Sequence, residues 1–233
     1  MLVYHKGLEA QVDMRSPADY GGLGAAEYRE MNPQGKIPVL LLPDGSAIYE
    51  ARVITSYLVD KFSDVGPSLL APTPELRARV ALLVSIHDLY IASPNSSNPF
   101  VTANQGCAYK PVDVIDAEAR SSKLVEVAKQ CRVLEGLIVG PFAAGAEPTE
   151  ADVTLYPTLG VFLPFLVQAA FGWPSLLDET AHPKLCACLA TIGQLPAAKR
   201  VQEEVLPALQ RWEASGRCDA GHGPSLTLAL ALA

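Results

Sequence analysis

The sequence predicts a small α/β unit followed by an all-helical unit, and three observations support this fold class. Two short apolar segments flank the turn Pro43-Asp44-Gly45, as the strands of a hairpin do, and an amphipathic segment follows them. A turn-rich stretch then interrupts the pattern, and beyond it the apolar residues recur at helical spacing. The predicted boundaries are residues 1–62 for the α/β unit, 63–73 for a linker, 74–213 for the helical unit and 214–233 for a tail.

The α/β unit is predicted element by element from local patterns. Residues 8–14 alternate weakly, as a half-buried strand does, and residues 25–31 fit a short helix. Residues 37–42 and 47–49 are predicted as the two strands of the hairpin. Residues 50–62 place apolar side chains at i, i+3 and i+4 spacing, which predicts the helix that closes the unit.

The second unit is predicted to consist of helices. Residues 74–91 begin with proline and glutamate, which favour a helix N-terminus. Residues 152–171 are apolar on nearly every side, which predicts a central, buried helix. Thr149 and Asp152 have the spacing of an N-capping box at its start, a pattern typical of stability rather than catalysis. Further helices are predicted at residues 117–139, 182–192 and 197–212.

Composition and charge limit the class of protein. The chain has 233 residues, of which 49% are hydrophobic, enough for one large core or two small ones. The net charge is −7 and no basic stripe is visible, which argues against a nucleic-acid partner. The five cysteines are irregularly spaced and do not indicate a disulfide framework, so a reducing compartment fits better.

No transmembrane segment or leader is predicted. The most apolar run, residues 159–171, is interrupted by Pro164 and Gln168 and is too short to span a bilayer. The N-terminus lacks the basic flank and apolar core of a signal peptide. We therefore expect an intracellular protein, cytoplasmic by default. An organelle such as the plastid stays open, because the N-terminus is expected to be incomplete.

The segment Lys36-Ile37-Pro38 has two interpretations. Pro38 opens a strand but cannot donate a backbone hydrogen bond. If the bond from Ile37 to Pro38 is cis, the backbone of residue 37 turns outward and can bind an extended ligand. The alternative is an ordinary proline on an edge strand.

Taken together, these motifs resemble the glutathione transferase superfamily, in which a thioredoxin-like N-terminal domain precedes an all-helical domain. The resemblance covers nearly the whole chain, and its strength lies in the order and spacing of the motifs rather than in any single one. Three further segments are similar to a subgroup found in cyanobacteria and photosynthetic eukaryotes: residues 88–95, 105–107 and 171–174. The family motifs are Asn32-Pro-Gln-Gly-Lys-Ile-Pro-Val-Leu40, Asp44-Gly45, Ile48 with Glu50, Ile54 with Tyr57-Leu58, and Glu147-Pro-Thr-Glu-Ala-Asp152 with Tyr156-Pro157.

The resemblance implies a glutathione site in the first unit. The backbone of Ile37, before Pro38, would pair with the cysteinyl part of glutathione, and Lys36 would lie near its glycyl carboxylate. Glu50 and the amide of Ala51 would hold the γ-glutamyl group, where a helix N-terminus favours a carboxylate. The alternative for Lys36 and Glu50 is solvated surface charge. The family also implies glutathione as co-substrate or ligand, a small electrophile as second substrate, and a homodimer.

The chain departs from the family in two places. Family members usually carry serine at the position of Ala51, and that hydroxyl donates to the γ-glutamyl carboxylate. In addition, Met1 to Lys6 is too short for both the first strand and the first helix, so the thioredoxin-like domain is expected to be incomplete. The family's activating tyrosine, serine or cysteine lies at that junction and has no counterpart here. The catalytic residue, and whether the chain is an enzyme, therefore stay open.

A second candidate surface lies after the linker, where the family binds its acceptor substrate. His87 and Tyr90 share one helix face, and Asn95 and Cys107 follow in a loop rich in small polar residues. The alternative is an exposed loop with Tyr90 packed in the core. Cys186 and Cys188 are two apart on a predicted helix and so point to different sides, which argues against a metal site.

Three hypotheses of function follow. The first is a glutathione transferase-like enzyme that conjugates, isomerises or reduces small electrophiles. The second is a non-catalytic structural subunit or adaptor of a larger assembly, in which a partner covers the exposed sheet edge. The third is a misassigned start codon and a longer natural protein. The tail with leucine at alternate positions from Leu226 to Leu232 has no assigned role.

Overall fold

A computed structural model of the chain describes residues 1–92 and 117–217. The chain divides into two compact units, Leu2–Leu70 and Ala71–Ala233, and Met1 groups with the second. The first unit contains the short sheet and three helices. In the described part of the second unit the regular elements are helices, joined by loops that include one isolated β-bridge between Phe142 and Gly145.

From residue 25 onward, the first unit follows the predicted order of elements. Its bounds are α1 Leu2–Lys6, a 3-10 turn Pro17–Tyr20, α2 Ala26–Met31, β1 Val39–Leu41, β2 Ala47–Tyr49 and α3 Ala51–Lys61.

The hairpin forms where the turn residues predict it. β1 and β2 pair in antiparallel register, with Leu40 opposite Ile48. Gly45 has a φ of +87°, which a residue with a side chain rarely adopts. Asp44 Oδ1 accepts hydrogen bonds from the backbone amide and the hydroxyl of Ser46, and these bonds lower the pKa of the Asp44 carboxyl. The turn is therefore fixed by local chemistry.

The predicted strand at residues 8–14 is wrong. Leu8 is fully buried, and its carbonyl oxygen accepts hydrogen bonds from the backbone amides of Gln11 and Val12. These contacts close a turn after α1, because the buried leucine anchors the chain before it can extend. In the described residues the sheet consists of β1 and β2.

The second unit confirms the predicted helices closely. α4 passes into a π-helical turn at His87–Ile91, and α6 continues through π-helical turns Pro157–Phe162 and Phe165–Ala170. Another π-helical turn, Glu213–Arg217, follows α8. The helix bounds are α4 Pro74–Ile86, α5 Ala117–Leu137, α6 Glu150–Tyr156, α7 Pro183–Gly193 and α8 Pro196–Trp212.

The start of α6 is held by the predicted capping residues. Asp152 is fully buried and accepts hydrogen bonds from the backbone amide of Thr149 at 2.7 Å, from its hydroxyl at 2.9 Å, and from the amide of Ala143 at 2.7 Å. Burial raises the pKa of the Asp152 carboxyl, and these hydrogen bonds oppose the rise. The motif is thus part of the folded core of the helical unit.

The helical run from α6 onward is the centre of this core, as predicted. Leu155, Leu159 and Leu166 are buried almost completely. Among the described residues, the run Glu150–Ala170 is long and apolar enough to cross a membrane, by length and composition alone. Half of its most apolar 18-residue stretch is buried inside the protein. A core helix of a globular domain has the same length and apolar composition.

Candidate functional site

The loop Asn32–Pro38 is held in place by two buried side chains. The Tyr28 hydroxyl donates a hydrogen bond of 2.9 Å to the carbonyl oxygen of Lys36, and the Asn32 side-chain amide donates one of 2.7 Å to the same oxygen. Tyr28 and Asn32 are each 2% exposed. A buried tyrosine and asparagine therefore fix the carbonyl group that comes directly before Ile37.

Gly35 allows this loop to close. Its φ is +61°, and a Cβ atom there would approach the carbonyl oxygen of Leu23 to 3.0 Å. The Gly35 amide donates to the carbonyl oxygen of Asn32 at 2.9 Å. Both the backbone conformation and the available space therefore favour glycine over residues with a side chain.

The bond between Ile37 and Pro38 is cis, which is the condition on which the first interpretation of this proline depends. Lys36, Ile37 and Pro38 are all exposed, and the Ile37 side chain has more than half of its surface in solvent. β1 begins one residue later, at Val39. The three residues before β1 are thus exposed to solvent on a fixed support.

Glu50 has an unusual backbone conformation at the start of α3. Its φ and ψ are 74° and 119°, and it is the one non-glycine residue with a positive φ in the described part of the chain. Such a conformation costs about 1–3 kcal/mol and is found preferentially at functional sites. Glu50 is the N-cap of α3, Ala51 is its first residue, and both are exposed. A helix N-terminus with free amides attracts carboxylates.

Gln34 joins the loop to the start of α3. Its side-chain Nε2 donates a hydrogen bond of 2.9 Å to Glu50 Oε1. The structure therefore brings the loop at Gln34 to Glu50, and Lys36 and Ile37 follow Gln34 in the same loop. Sequence reasoning missed Gln34, because it is the variable position of the Asn-Pro-x-Gly-Lys motif and nothing local marks it.

The side chains of Tyr4, His5 and Lys6, near the start of the chain, are partly or fully buried. Tyr4 and His5 lie on α1 and are half-buried. Burial lowers the pKa of His5, and the charge of Lys6 lowers it further. The Lys6 Nζ donates to the carbonyl oxygen of Pro67 at 3.1 Å, and burial lowers the pKa of Lys6. We assign none of these groups to activation of a thiol.

The second set of predicted site residues lies in the helical unit. His87 is buried; its Nδ1 lies 2.7 Å from Asp88 Oδ1 and its Nε2 lies 2.7 Å from Thr158 Oγ1. His87 thus links α4 to the continuation of α6. Tyr90 is exposed rather than packed in the core. Asn95 and Cys107 lie outside the described residues.

Of the three cysteines that the structure describes, two are core residues. Cys131 and Cys188 are buried, and burial raises the pKa of each thiol to about 12. Cys186 is half-buried, and burial raises its pKa as well. Within residues 1–92 and 117–217, no group of three or more histidine, cysteine or acidic residues is arranged to hold a metal ion.

An apolar cavity of about 680 Å³ lies inside the first unit, beside β1. One wall is the irregular segment 11–17, another is the segment 37–43, and Ile54 and Leu58 of α3 also line it. β1 pairs with β2 alone among the described residues, so its other edge has no strand partner there.

Comparison with known proteins agrees with this fold. The sequence profile of the glutathione S-transferase N-terminal domain matches residues 1–61. A probable glutathione S-transferase of Zea mays, BZ2, is 30% identical over 184 residues, which are 76% of this chain and 73% of that protein. Glutathione S-transferase F14 of Arabidopsis thaliana is 29% identical over 53% of this chain, and the match spans only about half of F14, 47% of its length.

Solved structures share the fold. Rice glutathione S-transferase 1, determined in complex with glutathione, superposes with a TM-score of 0.64 at 22% identity, over 92% of this chain and 89% of the rice chain. The profile match and the extent of the Zea mays match together define the class of protein. The chain belongs to the glutathione S-transferase family, with a thioredoxin-like N-terminal domain followed by a helical region.

Proposed function

We propose that the chain binds glutathione at the loop Asn32–Pro38 and the start of α3, and that it acts on small electrophiles by conjugation, isomerisation or reduction. One observation supports the proposal most directly: the Gln34–Glu50 hydrogen bond joins the loop that carries Lys36 and Ile37 to the N-terminus of α3. Family membership and the glutathione complex of the rice relative support it further.

The charges of this surface match those of the tripeptide. Glutathione carries two carboxylates and one ammonium group. Lys36 offers a cation for the glycyl carboxylate, and Glu50 offers an anion for the ammonium group. The first amides of α3, including that of Ala51, can donate to the γ-glutamyl carboxylate. Ile37 is exposed, and its backbone is proposed to pair with the cysteinyl part between these ends.

Two features determine the expected affinity for glutathione and the expected rate of turnover. Ala51 lacks the hydroxyl of the family's usual serine, and a lost hydrogen bond to a charged group weakens binding by about 1.5–3 kcal/mol. A free thiol with a pKa of about 8.5 is only about 3% ionised at neutral pH, so turnover requires a group that stabilises the thiolate. Within residues 1–92 and 117–217 no group is assigned that role, so binding and turnover are tested separately.

Calorimetric titration with glutathione tests binding, and turnover of 1-chloro-2,4-dinitrobenzene tests transfer. We expect the wild-type chain to bind and Glu50→Ala to bind at least about tenfold more weakly, because the partner of the ammonium group is lost. Glu30→Ala is the matched control, because Glu30 is an exposed glutamate on α2 of the same unit. Equal affinities of the two variants would contradict the proposed site.

The structural-subunit hypothesis is the second candidate, and the cavity beside β1 favours it. In the part of the chain that the structure describes, one edge of β1 is unpaired and lies next to an apolar cavity, and a partner strand can cover such a surface. Native mass spectrometry of the protein isolated from its own cells would show a defined complex of fixed stoichiometry. Slower hydrogen exchange of the amides of Val39–Leu41 in that complex would locate the partner at β1, and a free or homodimeric chain would contradict this candidate.

Dimer state and cellular location remain proposals. We propose a homodimer, as the family implies, in the cytoplasm or a plastid. Light scattering of the purified protein and fluorescence of a tagged chain in intact cells test these two points separately.

A further inference from the structure

A chain of hydrogen bonds connects the two ends of the candidate site through Gln34. The side-chain Nε2 of Gln34 donates to Glu50 Oε1 at 2.9 Å, and the backbone amide of Gln34 donates to Asn32 Oδ1 at 3.1 Å. Asn32 Nδ2 in turn donates to the carbonyl oxygen of Lys36 at 2.7 Å. The glutamate that would bind one end of a peptide is thus linked to the backbone group beside Ile37.

The buried and exposed members of this chain have different roles. Asn32 is 2% exposed, so its side chain is a fixed anchor, and it holds the Gln34 backbone in place. Gln34 and Glu50 are exposed, where a long side chain would otherwise sample many rotamers. The backbone of Gln34 is therefore set by the core, and its side chain transmits that order to Glu50.

Both the backbone and the carboxylate of Glu50 are constrained. Its backbone has the positive φ described above, and its carboxylate accepts the hydrogen bond from Gln34 at Oε1. A carboxylate has a second acceptor oxygen, Oε2, which can receive a ligand ammonium group while Oε1 stays on Gln34. Ordering a charged side chain before the ligand arrives reduces the entropy cost of binding.

We propose that Gln34 is a positioning residue that orients Glu50 and thereby makes the site selective for peptides with a free α-amino group. This inference rests on the proposed function. The side-chain amide of Gln34 donates to Glu50, and Glu50 reads the ligand ammonium group. The loss of the Gln34 donor therefore weakens recognition of that group and leaves the rest of the peptide site unchanged.

The test is a comparison of two ligands with four proteins. The ligands are glutathione and glutathione acetylated at its α-amino group, which has no ammonium charge for Glu50 to bind. The proteins are wild type, Gln34→Met, Glu50→Gln and the double variant. Methionine keeps the length of glutamine but has no donor. Gln210→Met is the matched control, because Gln210 is an exposed glutamine on α8.

We expect Gln34→Met to weaken glutathione binding about 3- to 10-fold, the size of one lost hydrogen bond. Its affinity for the acetylated ligand should match that of wild type within about twofold. In the Glu50→Gln background, Gln34→Met should have no further effect on glutathione, because the group that it orients has lost its charge. A general structural role for Gln34 would instead weaken both ligands equally.

The outcomes separate the two proposals. If wild type does not bind glutathione, the proposed function fails and this inference fails with it. If wild type binds and Gln34→Met binds both ligands as wild type does, or loses both equally, this inference alone is overturned. Circular dichroism and thermal unfolding of each variant establish that the affinities compare folded proteins.

Discussion

The hydroxyl oxygen of Tyr156 lies 2.9 Å from the point that a Cβ atom on Gly193 would occupy. On its own helix, a Cβ on Gly160 would come within 2.6 Å of the Tyr156 ring. Tyr156 is buried, and the Gln202 side chain of α8 donates a hydrogen bond to its hydroxyl. Two glycines from different helices therefore make the space that this tyrosine fills.

Gly160→Ala should destabilise the protein by about 1–3 kcal/mol, because the added methyl group overlaps the Tyr156 ring and the packed helices cannot move apart freely. Urea unfolding measures the change. Gly136→Ala is the matched control on α5, where an added Cβ meets no atom within 4 Å. That change should be neutral or stabilise by up to about 1 kcal/mol, because alanine favours helix. Equal effects of both variants would contradict the conclusion that Gly160 makes space for the Tyr156 ring.

Glu50→Gly should change stability and ligand affinity in opposite directions. Glycine tolerates a positive φ, so removal of the side chain should stabilise the fold by about 1 kcal/mol after its own entropy cost is subtracted. Glutathione affinity should fall, because the carboxylate is lost. Thermal unfolding and calorimetry measure the two effects. In contrast, Glu30→Gly inside α2 should destabilise by about 1 kcal/mol and leave affinity unchanged. A fall in stability larger than about 1.5 kcal/mol, the most that the lost Gln34 hydrogen bond accounts for, would show that the backbone is not strained there.

Thr158→Val should destabilise the helical unit by about 1–3 kcal/mol, since it leaves Nε2 of the buried His87 without its 2.7 Å partner. Chemical unfolding measures the loss. Thr154→Val is the control on α6, because that hydroxyl donates to the carbonyl oxygen of Glu150 within the same helix. We expect the control to cost less than about 1 kcal/mol. If both variants cost the same, the contact between His87 and Thr158 does not stabilise the unit.

His5 should make the protein less stable in mild acid. Burial lowers the pKa of His5 below its ordinary value of 6.5 in the folded state, so the unfolded chain takes up a proton at a higher pH than the folded chain does. Stability contributed by neutral His5 is therefore present above about pH 6.5 and is lost as the pH falls through that value towards the lower folded pKa. His5→Gln should lose less stability than wild type between about pH 7 and pH 5. Parallel pH profiles from chemical unfolding would contradict this prediction.

Local patterns predicted most of the secondary structure, because the contacts that decide it lie a few residues apart. The turn at Asp44 and Gly45 depends on hydrogen bonds over two residues, and the start of α6 depends on Thr149 and Asp152 over three. The predicted strand at residues 8–14 failed for a tertiary reason. Burial of Leu8 overrides the weak alternation that follows it.

The sequence alone determined the class of fold and pointed to Lys36, Ile37 and Glu50 as a ligand surface. It did so because the spacing of residues within a motif can be read directly from the sequence. Only the tertiary structure decided how that surface is held. Gln34 donates to Glu50, and the Lys36 carbonyl oxygen accepts from Tyr28. The space for Tyr156 depends on Gly193, a glycine 37 positions away. Such contacts form only when separate elements pack together, and no local pattern encodes them.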